Sequence, residues 1–122
     1  MRKGYSVHRS LSCDADLEII FDHLFSAYCG LGDPVEESLT RAAERLRAIE
    51  DALERLGDMP FQGTLEPRVM AGLRHVTKDN AVFYFIVDEA VREVRVLGVF
   101  FGSQDHRRHI LKRIADDGAT SP

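Results

Sequence analysis

The sequence predicts an α+β domain with the element order β-α-α-β-β-β-α. Two long segments with helical spacing of apolar residues fill the first half, and three short strand-like segments with intervening turns precede a last short helix. The 122 residues suit a single domain. We expect residues 1–115 to form that domain and residues 116–122 to form a frayed tail.

The N-terminal segment predicts a short strand followed by a long helix. Residues 5–9 alternate apolar and polar side chains, which is a weak strand pattern. Ser12 or Asp14 is suited to cap the start of the helix, and Gly30 with Gly32 to end it. Between them, one continuous apolar stripe at helical spacing is formed by Leu17, Ile20, Phe21, Leu24, Phe25 and Tyr28.

The following segment predicts a second helix that pairs with the first. Asp33 suits the N-cap position, and Pro34 suits the first helical position. Two amphipathic helices joined by a short turn are expected to form an antiparallel hairpin. The apolar stripe of the second helix runs to Gly57 and consists of Leu39, Ala42, Ala43, Leu46, Ile49, Leu53 and Leu56.

The second half of the chain predicts an antiparallel meander of three strands. Residues 57–68 have the composition of a loop, and strands are predicted over residues 69–76, 81–87 and 93–101. The strand over residues 81–87 is almost entirely apolar, which indicates a central position in the sheet. The helix hairpin is expected to pack against this sheet.

Two adjacent aromatic residues at the end of the last strand predict how the second sheet face is used. Phe100 and Phe101 must point to opposite faces of the strand. One of them therefore needs cover on the face away from the helix hairpin, from the last helix or from another chain. That helix is predicted over residues 103–114, with Ser103 or Asp105 near its cap and with an inward face of Ile110, Leu111 and Ile114.

Charge divides the chain into an acidic first half and a basic second half. Residues 1–67 hold seven Lys and Arg against thirteen Asp and Glu, whereas residues 68–115 hold nine against five. The formal net charge of the whole chain is −4, which argues against indiscriminate nucleic-acid binding but leaves a local basic face open.

The sequence also predicts a location and a redox state. No apolar run is long enough to span a membrane, and residues 1–4 lead into no signal-like segment, so we expect a cytoplasmic protein. Cys13 and Cys29 flank the first predicted helix and lie too far apart for a disulfide, which suits reduced thiols.

A basic cluster at the start of the last helix is the sharpest candidate for chemistry. His106 and His109 are helical neighbours, and Arg113 follows four residues after His109, so one face could hold a phosphate and move a proton. Arg74, His75 and Lys78 could contribute from the sheet. The alternative is a basic helix that is merely soluble or that contacts a partner. We expect no metal site, because the histidine pair has only Asp105 as a further nearby ligand, and no cofactor.

Several short segments in a consistent order resemble the RelE/ParE toxin superfamily of bacterial toxin–antitoxin systems. The resemblance covers roughly residues 5–114. It rests on the order of elements and on residues 16–20 (DLEII), 72–74 (GLR), 83–88 (FYFIVD) and 96–105 (VLGVFFGSQD).

The resemblance implies one of two activities. RelE-like members cut messenger RNA on the ribosome with basic side chains, and ParE-like members block DNA gyrase. The RelE-like arginine of the central strand corresponds to Val82 here, a second arginine to residues 103–104, and a C-terminal tyrosine to a position near Ile110. These replacements favour the ParE-like branch, although ParE-like members usually carry arginines at the positions of Val82 and Ile86.

The sequence therefore predicts a ParE-like toxin of the plasmid-stabilisation type, which inhibits DNA gyrase by binding and is neutralised by a cognate antitoxin. The sequence leaves open whether the chain forms a homodimer. The residues predicted to contact the target or partner are Arg74, Lys78, Phe101, Arg107, Arg108 and Lys112. The first alternative is a ribosome-dependent messenger RNA endonuclease with ribosome and messenger RNA as partners. Its catalytic residues would be His75, His106 and His109. A family member that has lost its toxicity is the second alternative.

Overall fold

The computed structural model describes residues 4–101 and 105–120. The strands are β1 (Ser6–Arg9), β2 (Thr64–Leu65), β3 (Arg74–Lys78), β4 (Ala81–Asp88) and β5 (Glu93–Phe101). The helices are α1 (Leu11–Gly30), α2 (Val35–Glu54) and α3 (His106–Thr120), and a 3-10 turn, Arg55–Asp58, follows α2. The predicted α+β class and element order are confirmed, with β2 as an additional strand.

The five strands form one mixed sheet in the order β1-β5-β4-β3-β2. β3, β4 and β5 make the predicted antiparallel meander, with β4 at its centre. The turn between β3 and β4 consists of Asp79 and Asn80, both with positive φ, as a tight two-residue hairpin requires. β1 lies parallel to β5, a pairing that the local pattern of residues 5–9 did not specify.

The helix hairpin forms as predicted, but both N-terminal caps differ from the prediction. Ser10, rather than Ser12 or Asp14, caps α1 and accepts a hydrogen bond from the backbone N–H of Cys13 at 3.0 Å. Pro34 occupies the cap position of α2, so Asp33 lies one residue outside it, where its carboxylate binds Arg41.

The sheet separates two apolar cores. The larger core lies under α1 and α2, and its sheet side consists of Ala81, Phe83, Phe85, Val94, Val96, Val99 and Phe101. The smaller core lies under α3 and consists of Leu73, Val82, Tyr84, Phe100 and Ile110. A β-bulge opposite Tyr84 and Phe85 inserts Leu97 into β5, which lets Val96 and Val99 face the same core. Phe100 and Phe101 therefore point to opposite faces, as predicted.

Several predicted boundaries in the second half need correction. The strand predicted over residues 69–76 begins only at Arg74, because residues 69–73 form turns, with Gly72 at φ +81°. α3 runs to Thr120, beyond the predicted helix end at residue 114 and into the segment predicted as a tail. Leu111 is 45% exposed rather than inward-facing, whereas Ile110 is buried. The proposed cap Ser103 lies outside the described residues.

Candidate functional site

Three aromatic rings meet on the sheet face that α3 covers. His75 of β3 and Tyr84 of β4 are register partners, so their side chains leave the same face of the sheet. The first turn of α3 places His106 against both of them. The ring centroids lie 5.6 Å apart for His75 and Tyr84, 5.8 Å for Tyr84 and His106, and 6.4 Å for the two histidines.

The tyrosine hydroxyl forms the central hydrogen bond of this cluster. Tyr84 Oη lies 2.8 Å from His106 Nδ1. Burial raises the pKa of Tyr84, and the nearby Glu66 carboxylate raises it further, so the phenol keeps its proton. Burial lowers the pKa of His106, and electrostatic interactions with His75 and Arg107 lower it further. A protonated phenol beside a neutral imidazole is therefore the favoured pair at neutral pH.

Glu66 supplies the negative charge of the cluster. Its Oε2 lies 2.8 Å from His75 Nδ1, and both carboxylate oxygens accept contacts from the guanidinium of Arg107, at 3.3 and 3.2 Å. The His75 contact falls outside hydrogen-bond geometry, so this buried nitrogen has no hydrogen-bond partner among the described residues. The backbone N–H of Glu66 donates to Leu73 O at 2.8 Å, which holds the carboxylate beside β3. We call Glu66, His75, Tyr84, His106 and Arg107 the Tyr84 cluster.

The structure brings two of the three predicted histidines together and separates the third. His109 lies one turn beyond His106, is exposed, and stacks its ring on Phe100 with centroids 5.6 Å apart. Arg113, which the sequence placed on the same face, instead forms an ion pair with Asp16 of α1. The predicted surface of two imidazoles and a guanidinium on α3 does not form.

The basic residues predicted to contact a partner divide between the two faces of the sheet. Arg74 and Lys78 pair with Phe85 and Ala81, so they leave the sheet on the side of the helix hairpin. Arg74 donates there to the backbone oxygen of Phe61 at 2.8 Å.

Arg107, Arg108 and Lys112 lie on α3 at the opposite face. Arg108 and Lys112 are exposed, and with Asp105 and His109 they line an open depression of about 330 Å³.

Phe101 does not occupy the surface position predicted for it. Its side chain is only 7% exposed, lies in the larger core, and packs against the His23 ring with centroids 5.2 Å apart. Phe100 is the residue on the α3 face, where α3 covers it. Phe101 is therefore a core residue and not the partner-contact residue that the sequence predicted.

Two members of the Tyr84 cluster escaped the sequence-based prediction. Tyr84 is the one residue with a hydrogen-bonding side chain within the apolar run of residues 81–87, which is a usable sequence signal. Glu66 carries no such signal, because its position beside His75 depends on β2 pairing with β3.

The described residues show neither a metal-binding cluster nor a membrane-spanning helix. These residues contain no group of three or more His, Cys, Asp or Glu side chains placed to hold a metal ion. None of the described helices combines the length and the apolar character needed to cross a bilayer.

Comparison with solved structures shows that the chain has the RelE/ParE fold. The chain is similar to a chain of the chromosomal ParDE toxin–antitoxin system from P. aeruginosa. The two share 22% sequence identity, the alignment covers 80% of this chain and 95% of the other, and the TM-score is 0.60.

A chain of the RelBE2 toxin–antitoxin complex from Mycobacterium tuberculosis is also similar. It shares 14% identity over 81% of this chain and 99% of the other, with a TM-score of 0.54. No protein-family model and no curated protein matches the sequence. The resemblance seen in the sequence is thereby confirmed at the level of the fold.

Proposed function

We propose that the chain is the toxin component of a bacterial toxin–antitoxin system and is neutralised by a protein antitoxin. The similarity to chains of the ParDE and RelBE2 systems carries this proposal, because it extends over at least 95% of each of those chains. The two systems leave the molecular target open, since a shared fold does not fix a shared activity.

Within this class, we infer that the chain inhibits DNA gyrase by binding, as ParE-like toxins do. On the resemblance, the positions at which RelE-like ribonucleases carry a central-strand arginine and a C-terminal tyrosine correspond to Val82 and to a position near Ile110. Both side chains are buried, with exposed fractions of 2% and 0%, and they pack in the smaller core. An apolar side chain in such a place cannot contact a phosphate, which supports action by binding.

The surface offered for target binding is the exposed basic face of α3, with Arg108 and Lys112. Arg107 is the less suitable test residue, because it also pairs with Glu66 of the Tyr84 cluster. Arg108→Glu combined with Lys112→Glu is expected to abolish growth inhibition. Arg47→Glu combined with Arg55→Glu is the matched control, since both residues are exposed, the charge change is the same, and they lie in α2 and in the 3-10 turn after it.

The first experiment is a pulse-labelling time course in bacteria after induction without an antitoxin. If gyrase is the target, DNA synthesis falls before protein synthesis, and purified protein inhibits gyrase-catalysed supercoiling. Unchanged toxicity of the folded Arg108→Glu/Lys112→Glu variant would refute the α3 surface. An early fall in protein synthesis would refute gyrase as the target.

A second candidate function is the ribosome-dependent cleavage of messenger RNA. The Tyr84 cluster favours it, because two imidazoles, a phenol and a carboxylate within one patch are groups suited to proton transfer. His75→Gln and His106→Gln are then each expected to remove messenger RNA cleavage while antitoxin binding persists. His109→Gln is the control, because His109 lies apart from the cluster. Cleavage that survives in the His106→Gln variant would reject the Tyr84 cluster as the catalytic site, and absence of cleavage by the wild-type chain would reject this function.

A further inference from the structure

We propose that the groove between α1 and α2 binds the exposed side of α3 from a second copy of this chain. The exposed side of α3 is formed by Arg108, Leu111 and Lys112 and is called the α3 stripe. The inference does not depend on which cellular target the chain has. Because the α3 stripe includes the two basic residues offered for target binding, a second copy bound there would compete with the target.

The groove combines an apolar floor with an acidic rim. It lies between α1 and the second half of α2 and has a volume of about 480 Å³. Its apolar lining residues are Leu17, which is buried, and Phe21 and Leu46, which are partly exposed. Its polar lining residues are Arg9, Asp14, Glu18, Asp22 and Glu50. A groove of this kind is complementary to a helix that carries positive charges around an apolar residue.

The rim on α1 is a row of three carboxylates. Asp14, Glu18 and Asp22 follow one another at intervals of four residues, so they lie along one side of the helix and repel one another. The guanidinium of Arg9 lies 3.1 Å from the Asp14 carboxylate and 3.0 Å from that of Glu50 on α2. One end of the groove thus already holds a guanidinium between its two helices. Glu18 and Asp22 are exposed and form no ion pair with a described residue.

The α3 stripe carries the complementary pattern. Arg108 and Lys112 are four residues apart, which is about 6 Å along a helix and equals the spacing of Glu18 and Asp22. Both basic side chains are exposed, and neither forms an ion pair with a described residue. Leu111 lies beside them and is 45% exposed although it is apolar. The stripe therefore offers two positive charges and an apolar side chain at the spacing that the groove requires.

The order of the residues also determines the direction of packing. On α1, Glu18 and Asp22 each follow an apolar residue of the floor by one position, and on α3 Lys112 likewise follows Leu111. Two facing helices with this order bring charged rows and apolar rows into register only when they run antiparallel. In that arrangement Arg108 lies opposite Asp22, Lys112 lies opposite Glu18, and Leu111 covers the apolar floor.

The groove and the α3 stripe are different surfaces, so the association is head-to-tail. Each copy offers one groove and one stripe, and further copies add until a ring closes. Asp116, one turn beyond Lys112, comes to the end of the groove that Arg9 occupies, and so it does not meet an unpaired carboxylate. Because the paired charges are exposed in the single chain, the association is expected to weaken as added salt screens them.

Analytical ultracentrifugation of the purified full chain tests the inference. At low ionic strength the wild type should form oligomers as its concentration rises, and high salt should dissociate them. Glu18→Lys combined with Asp22→Lys, and Arg108→Glu combined with Lys112→Glu, each place like charges across the contact. Each variant alone is therefore expected to self-associate at least about 10-fold more weakly than the wild type. An equimolar mixture of the two variants brings opposite charges together again and should associate as the wild type does.

Matched controls change the net charge equally at exposed residues that neither line the groove nor lie on α3. They are Glu44→Lys with Asp51→Lys, and Arg47→Glu with Arg55→Glu. Both controls should associate as the wild type does, with the fold of every variant checked by circular dichroism. A wild type that stays monomeric at low ionic strength would overturn the inference and leave the groove to a basic segment of another protein. Equal losses in variants and controls, or a mixture that associates no better than either variant alone, would also overturn it.

Discussion

Arg113 and Asp16 form a two-pronged ion pair that joins the last helix to the first across the edge of β5. Arg113 NH1 lies 2.6 Å from Asp16 Oδ2, and Arg113 NH2 lies 2.8 Å from Asp16 Oδ1. The same carboxylate accepts the backbone N–H of Val99 at 3.0 Å, and the guanidinium also donates to Leu97 O. The pair thus bonds backbone groups of β5 beyond the residues that pair with β1. It also fixes α3, and with it His106, on the sheet.

Removing Asp16 is expected to destabilise the fold strongly. In Asp16→Ala, the partly buried guanidinium of Arg113 loses its carboxylate partner, and the backbone N–H of Val99 loses its acceptor. Breaking a buried ion pair costs about 3–5 kcal/mol. We expect a loss of about 3 kcal/mol in the free energy of unfolding, because Arg113 is 21% exposed and water can compensate in part. Urea unfolding followed by circular dichroism measures the change.

The matched control is Asp88→Ala, which removes the exposed pair between Asp88 and Arg95 at 3.4 Å. An exposed pair contributes about 0–1 kcal/mol, so this variant should unfold almost as the wild type does. Similar losses in both variants would show that the Asp16 pair contributes no more than a surface contact.

Gly57 is expected to tolerate no side chain. A Cβ atom at this position would overlap the carbonyl oxygen of Tyr5, and the backbone N–H of Tyr5 donates to Gly57 O at 2.8 Å. Gly57→Ala must therefore push the segment that leads into β1 away from the 3-10 turn. Overpacking of this kind costs about 1–3 kcal/mol in stability. Gly30→Ala is the control, because nothing lies within 4 Å of the added Cβ, and equal unfolding midpoints for the two variants would contradict the expectation.

The two cysteines are expected to differ sharply in reactivity. Cys13 is fully buried, and burial together with the charge of Asp16 raises the pKa of its thiol to about 12. Cys29 is half-buried near the end of α1. Since the thiolate is the reactive form, a thiol reagent at pH 8 should label one cysteine in the native chain and two after denaturation. In Cys29→Ser, native labelling should disappear, and rapid native labelling of this variant would contradict the burial of Cys13.

Local patterns predicted the elements of the fold well where the pattern extends over many residues. The meander over β3, β4 and β5 follows from the apolar run of residues 81–87 and the turns beside it, and the hairpin follows from its two apolar stripes. β2 escaped prediction because two exposed residues carry no periodicity, and they form a strand only because β3 offers them a partner. The cap at Ser10 escaped because three polar residues near the helix start were equally suitable.

The candidate site was less predictable because its members come from four separate parts of the chain. Sequence spacing grouped His106 with His109, although the covering position of α3 turns only His106 toward Tyr84. Register between β3 and β4, which no local pattern specifies, then brings His75 beside the same tyrosine. Helical spacing also grouped Arg113 with the histidines, whereas its actual partner, Asp16, lies 97 positions away in the chain.

Protonation of His106 is expected to make the fold less stable as the pH falls below neutrality. Burial, His75 and Arg107 lower the pKa of His106 in the folded chain, whereas Asp105 and Glu66 oppose the shift. The unfolded chain therefore binds a proton at this site at a higher pH than the folded chain does. Stability from this group is complete above about pH 6.5, the usual pKa of histidine, and declines as the pH falls through that value.

The His106→Gln variant should accordingly lose less stability between pH 7 and pH 5 than the wild type does, as measured by urea unfolding at each pH. A comparison of the wild type and His106→Gln at pH 8 gives the effect of the substitution itself on the free energy of unfolding, because His106 is then neutral in both the folded and the unfolded chain. An equally steep decline in the two proteins would show that His106 takes up its proton as readily in the Tyr84 cluster as in the unfolded chain.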